Sequence, residues 1–347
     1  MDQPGQARRS MMSGESIRLW VAIVAIVGSQ MGIVDLEASR LRAGEADASL
    51  RPTTLLVVGT GGTEHYEALF AEWGQRWSEA SAKAGHHLIL IGKEAQDDGG
   101  DKLRLRQAIE QAAKSPGVPL WLVMIGHGTY DRREARFNLR GPDVSAQEMA
   151  DWLKPVDRPM AIINCAAASA PFLTALSHAK RVVIASTKNG SEQNFAHFGD
   201  FMSQAITDPA ADLDKDNQTS LWEAFLLASR RTAEFYSTDG RLQTEHAVLD
   251  DNGDGQGVRA DQFRGLTPLE VATNGKSLDG QYAHQWHLIR NATDLALPAE
   301  ILKKRDSLEI AVLQLRDRKK SMASDEYLQQ LERLLVELAE LNESAGK

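Results

Sequence analysis

The chain has 347 residues, a formal net charge of −9, one cysteine and no stretch dense in lysine and arginine. That length suits one large domain with an appendage, and the acidic balance argues against nucleic acid as a partner. A single thiol forbids an intrachain disulfide, which leaves Cys165 as either a small buried hydrophobe or a reactive group.

Arg8, Arg9 and Arg18 precede the apolar stretch Leu19 to Val34. This is a basic region followed by a hydrophobic one, of secretory-signal length and short for a membrane span. Residues 1–48 are expected to be a signal peptide, with Ala46-Asp47-Ala48 as a candidate cleavage site, or an uncleaved N-terminal anchor. The protein is then periplasmic or extracellular, and membrane-anchored if the segment is kept.

Thr54 to Val58 reads as a strand closed by Gly59-Thr60-Gly61-Gly62. From Glu64 to Ala84 the apolar residues Leu69, Trp73, Trp77 and Ala80 recur at helical spacing. His87 to Ile91 is a second strand, Leu103 to Lys114 a helix, and Leu120 to Ile125 a third strand running into Gly126-His127-Gly128. Phe137 to Gly141 looks like a short hairpin arm, and Ser145 caps a helix carrying Met149, Trp152 and Leu153. Met160 to Ile163 is a strand ending in Asn164-Cys165, followed by the small residues Ala166 to Ala170. Phe172 to Leu176 (helix) and Arg181 to Ser186 (strand) complete an alternation that implies a mostly parallel sheet with helices on both faces. Helices are expected at Phe198 to Ile206 and Leu221 to Tyr236. Tyr282, His284, Trp286 and Leu288 alternate as in a strand, and the tail from Pro298 reads as a helical hairpin turning near Ser321 to Ser324. The expected organisation is an α/β domain over residues 51–290 and a hairpin over 298–347.

Parallel strands present their chemistry at their carboxyl ends. His127 and Cys165 each stand at such an end, as a cysteine nucleophile and its base require. The imidazole would raise the thiolate fraction and later protonate the leaving amine. The N–H groups of Gly128 and Cys165 are candidate oxyanion donors, and glycine at 128 permits close approach. Gly59 to Glu64 lacks the third glycine of a dinucleotide loop, and Gly-x-Ser-x-Gly is absent, which disfavours a serine hydrolase of the α/β type.

The series strand–His-Gly, helix, strand–x-Cys, further strand resembles the caspase–hemoglobinase fold, and within it the legumain-like cysteine peptidases and their bacterial relatives. The resemblance spans about Thr54 to Gly257, with Ile125-Gly126-His127-Gly128 and Ile163-Asn164-Cys165 as its sharpest motifs. It implies a caspase-like three-layer sandwich, a catalytic His127–Cys165 dyad and an oxyanion site at Gly128. It also implies cleavage after one chosen P1 residue, or acyl transfer to an amine. The loop after the strand that follows Cys165 usually builds part of the P1 pocket, making Glu192 and Gln193 candidate substrate-binding residues. Legumains carry an acid two residues before the nucleophile and metacaspases one beside it; this chain has neither. Legumains also place an Asn and an Arg-His pair after the first strand, where only His65 is analogous here.

Two acidic loops have calcium spacing. In the first, Asp212, Asp214, Asp216, the Gln218 carbonyl, Ser220 and Glu223 occupy positions 1, 3, 5, 7, 9 and 12 of an EF-hand-type loop, with Asn217 at the turn. In the second, Asp250, Asn252, Asp254, Gln256 and Asp261 repeat the scheme with Gly255 at the turn. The reading is a calcium-stabilised, exported cysteine endopeptidase acting on protein or peptide substrates. The alternatives are a transamidase using the same dyad and an inactive calcium-binding interaction module. The hairpin would cover the cleft or mediate self-association.

Overall fold

The structure, a computed structural model, describes residues 51–93, 100–115, 117–269 and 279–345. The expected signal or anchor and its cleavage site lie outside them. No helix among the described residues is long and apolar enough to cross a membrane.

The chain runs β1 (Thr53–Val58), α1 (Glu64–Lys83), β2 (His87–Ile91), α2 (Gly100–Ala112) and β3 (Leu120–Ile125). A small antiparallel sheet follows, made of β4 (Gly128–Tyr130), β5 (Ala135–Phe137) and β6 (Val144–Ser145). Then come α3 (Ala146–Leu153), β7 (Met160–Asn164), α4 (Ala170–Leu176), β8 (Arg181–Ala185), α5 (Phe198–Ala205) and α6 (Leu221–Thr238). Short strands β9 (Val248–Asp250), β10 (Val258–Arg259), β11 (Phe263–Arg264) and β12 (Thr267–Pro268) precede α7 (Ala292–Ala296), α8 (Ala299–Asp317) and α9 (Ser324–Ala345). The central sheet has seven strands in the order β10-β9-β8-β7-β3-β1-β2. Five pair in parallel, β9 runs antiparallel to β8, and β10 antiparallel to β9. Strand order reverses at β1, so the carboxyl ends of β1 and β3 frame a crevice.

The two-residue period of a strand divides the core. Leu56, Val58, Val123, Ile125, Ile163, Val182 and Ile184 face α1, α5 and α6, where Phe70, Trp73, Trp77, Phe198 and Phe225 meet them. Leu55, Val57, Leu122, Met124, Ile162 and Val183 face α2, α3 and α4, where Leu105, Ile109, Met149, Phe172 and Leu176 do so. Each such fully buried side chain contributes about 1.5–3 kcal/mol of transfer free energy. Cap chemistry sets the helix starts: the Thr63 hydroxyl accepts the Tyr66 N–H at α1, and Ser145 and Ser220 form capping boxes with Glu148 and Glu223 at α3 and α6.

The alternating run at 282–288 is not a strand. Ala283–Gln285 form a 3₁₀ turn, and only His287 makes an isolated bridge, to Ser220. The apolar members of the run still reach the core, with the Trp286 ring 5.4 Å from Trp121. Helices α8 and α9 pack against each other. Their ties to the rest of the domain run from Arg305 to Asp294, Gln285 to the Asp306 carbonyl and Gln281 to Asp317.

Candidate active site

His127 follows β3 with the parity of Val123 and Ile125, which aims it at α1. Its ring sits 4.7 Å from Tyr66 and 5.0 Å from Phe70, edge-on to both. Its Nε2 lies 3.2 Å from the Gly61 carbonyl oxygen in the loop after β1. A carbonyl only accepts, so Nε2 carries a proton, and in the neutral ring the Nδ1 lone pair is left to take one.

Cys165 follows β7 with the parity of Ala161 and Ile163, so it too faces α1. Pairing of Met124 with Asn164 sets the two strand ends side by side. The ladder continues one residue further, however: the Cys165 N–H donates to the Met124 carbonyl at 2.8 Å. That corrects one expectation, because this N–H is spent on the sheet and is no second oxyanion donor. The Ala166 N–H is likewise taken, by Asn164 Oδ1 at 3.0 Å, and the Ala168 N–H by the Glu192 carbonyl at 2.8 Å. Gly128 differs. It opposes Phe137, and the Asn138 N–H to His127 carbonyl bond beside that pair makes Gly128 a non-hydrogen-bonded position, whose N–H the ladder does not use. A Cβ at Gly128 would collide with the Ala167 carbonyl, so only glycine fits beside the loop after Cys165. That loop turns at Ala168, whose φ of 52° is left-handed. Such strain in a non-glycine residue costs of order 1–3 kcal/mol and collects at functional sites. The Asn164 Nδ2 is buried there with no hydrogen-bond partner among the described residues.

The thiol is closed off. Cys165 is 0% exposed, and Gly199 lies so close to its Cβ and to the Trp73 ring that a Cβ there would collide with both. Phe195 lies against His127, Tyr66 and Trp73 at 5.8, 4.7 and 5.9 Å. Segment 195–199 therefore backs onto the dyad. Burial, and after it the Glu245 carboxylate, pushes the thiol pKa up to about 12. Glu245 is itself 1% exposed. Burial raises its carboxyl to about 7, although it accepts the N–H groups of His197 and Phe198 at the start of α5 and the Tyr236 hydroxyl. No sequence signal singles out Glu245; it reaches the site only through folding.

Glu192 is half-buried and Gln193 exposed in the loop after β8. The Glu192 carboxylate accepts the Lys188 N–H at 3.0 Å, the His246 N–H at 3.1 Å and His246 Nδ1 at 2.6 Å. Gln193 is exposed, and its amide donates to the Tyr130 carbonyl. The pair pins the loop after β8 to its surroundings. His65 is exposed on α1.

The two acidic loops share one backbone geometry. Asp212 accepts the N–H groups of Lys215 and Asn217, and Asp250 those of Gly253 and Gly255. Asp214, Asp216, Asn252 and Asp254 each accept the N–H two residues on. Left-handed φ recurs at matching positions, Lys215 and Asn217, then Gly253 and Gly255. Ligand atoms of Asp212, Asp214 and Asp216 lie within 4.8 Å of one another. The ninth and twelfth positions do not join them. Ser220 and Glu223 cap α6, and Glu223 also accepts the Leu213 N–H. Asp261 pairs with Arg259 at 2.9 Å. The Gln218 side chain goes to Asp216, Asp294 and Asn291.

No protein-family model matches the chain, and no curated protein matches its sequence. Solved structures similar to it include the Drosophila initiator caspase Dronc, with 13% identity and a TM-score of 0.40 over 60% of this chain and 82% of Dronc. A Geobacter sulfurreducens protein shows 10% identity and a TM-score of 0.39, covering 58% of this chain and 92% of its own. Caspase-1 from Spodoptera frugiperda shows 9% and 0.37, covering 58% and 86%. The functional reading rests on the site's own geometry.

Proposed function

We propose that the chain is a caspase-like cysteine peptidase of legumain-related type, folded in a closed, latent state. One observation supports the reading above the others: two adjacent parallel strands deliver an imidazole and the chain's only thiol to the same face, and the Gly61 carbonyl leaves the imidazole's Nδ1 as a base. In the opened site the Cys165 proton passes to His127 Nδ1, and the sulfur attacks the scissile carbonyl carbon. The Gly128 N–H receives the oxyanion. Collapse breaks the C–N bond, and the amine leaves with the proton held by His127. Water then adds to the thioester, yielding the acid and restoring the thiol; an amine in place of water makes the same centre a transamidase.

The buried, protonated thiol favours a second reading, an inactive interaction module. A P1-scanning fluorogenic peptide library separates the two, tested on the full chain, Cys165→Ala and Glu192→Ala. Turnover by the full chain or by Glu192→Ala, absent in Cys165→Ala, is the expected result and names the P1 residue. Silence from every form supports the module.

We further propose that the two loops of matching geometry hold calcium through positions 1, 3, 5 and the position-7 carbonyl, with water completing the shell. Without the bidentate twelfth ligand, affinity should be in the range of extracellular modules, about 10⁻⁴–10⁻³ M. Saturating calcium should raise the melting temperature, and the rise should shrink in Asp212→Asn and in Asp250→Asn. An unchanged melting temperature would make both loops plain turns.

A further inference from the structure

The catalytic histidine of the proposed dyad is held by a loop that has no secondary structure of its own, so something must hold the loop. Gly61 lies between β1 and α1, and among the described residues its carbonyl is the hydrogen-bond partner of the His127 ring. Its N–H donates to Glu67 Oε1 at 2.7 Å, one turn into α1. The other oxygen of Glu67 accepts from Arg140 Nη2 at 2.6 Å. Arg140 Nη1 in turn reaches the carbonyls of Val58 (3.2 Å) and Gly92, the residues that end β1 and follow β2. A charged fork thus ties two strand ends to one carboxylate, which grips the N–H of the residue whose carbonyl meets the His127 imidazole. The packing allows no slack. A Cβ on Gly61 would meet the Glu67 nitrogen at 2.5 Å, and one on Gly92 would collide with the Val58 carbonyl.

We propose that Glu67, anchored by Arg140, is a positioning residue for the dyad: by fixing Gly61 through its N–H it holds that residue's carbonyl on Nε2–H and keeps His127 in the tautomer whose Nδ1 can take the Cys165 proton. This rests on the peptidase reading for its purpose but not for its geometry. A neutral imidazole in water interconverts between tautomers, and only the group facing one nitrogen selects between them. A carboxylate is suited to the grip because hydrogen bonds to charged groups are roughly twice as strong as neutral ones. The ion pair is partly exposed, with side chains 30% and 39% accessible, so its own stabilising effect is small and its role is geometric.

The test is nitrogen-15 NMR of the histidine side chains in the full chain, with the His127 signal assigned by its loss in His127→Gln. The wild type should show His127 with the proton on Nε2. Glu67→Met keeps the volume and the helix propensity but removes both acceptors. It should give a mixture of tautomers, with turnover, where detected, falling about tenfold in kcat and little in KM. Glu67→Gln keeps an acceptor for the Gly61 N–H and should restore the wild-type tautomer. A wild-type tautomer in a folded Glu67→Met would overturn the proposal. If Glu67→Met does not fold, Glu67→Asp, one methylene too short to reach Gly61 without moving α1, carries the same prediction and the same refutation. The peptidase reading fails separately: with no turnover in any form, the tautomer shift still decides whether Glu67 sets His127.

Discussion

In the folded protein, iodoacetamide should modify Cys165 about three orders of magnitude more slowly at pH 8 than in denaturant. Thiolates, not thiols, are alkylated. A thiol raised to about 12 has about one molecule in 10⁴ ionised at pH 8, against roughly a quarter for an ordinary cysteine near pKa 8.5. Burial excludes the reagent as well, so three orders is the lower figure. The residue behind this closure is named by the contacts: Glu192 pins the loop after β8 to His246 through two bonds and closes the loop on itself through the Lys188 N–H, and its own carbonyl holds Ala168 beside the nucleophile. Removing the carboxylate in Glu192→Ala should loosen segment 187–199 and raise the rate about tenfold. Mass spectrometry of the alkylated protein against time measures both. Rapid labelling of the wild type would mean that the resting site is open and that latency is the wrong description.

Much of this site was legible in the chain before folding. His127 continues the odd-numbered face of β3, and Cys165 the odd-numbered face of β7, so strand parity alone places both toward the same helix layer. Long amphipathic helices were equally readable, because Trp73 and Trp77 repeat at four-residue spacing. What failed did so for identifiable reasons. The run at 282–288 alternates like a strand, but it lies where the main chain bends around Trp286, and tertiary packing on Trp121 overrode the local pattern. β9 and β10 are three and two residues long, too short for any period to register. Ser220-x-x-Glu223 has the same spacing as a capping box and as positions 9 and 12 of a calcium loop, and the helix took both residues. The Cys165 N–H was lost as an oxyanion donor because sheet register runs one residue beyond the apolar run. Glu245 and Glu67 carry no local signal. Each acquires its role from a partner far along the chain, and no spacing within one segment reports that.

Glu245→Gln should be more favourable to stability at pH 8 than at pH 5, by on the order of 3 kcal/mol. The sign follows from proton uptake. Burial raises the Glu245 carboxyl from 4.5 to about 7, so between those values the folded chain holds a proton that the unfolded chain has released. Stability contributed by the acid form is complete below the unfolded value and is lost as pH rises through the folded one, at about 1.4 kcal/mol per pH unit. The wild-type profile alone does not isolate this. Burial also raises Asp251 to about 6 and Asp279 to about 9, in the same direction, while His86 and His287, both lowered to about 4 by burial, act in the opposite one. Folded and neutral, they lose stability as pH falls from about 6.5 toward 4. Subtracting variant from wild type cancels these aspartates and histidines and leaves Glu245. Denaturant titrations of both proteins at pH 5, 6, 7 and 8 give the difference curve. A flat difference would show that the three donors on Glu245 outweigh its burial and keep it ionised throughout. The same substitution removes the charge that, after burial, holds the Cys165 proton on. Alkylation of Glu245→Gln should therefore be faster than that of the wild type above pH 7, where Glu245 is ionised, and equal to it at pH 5, where it is not.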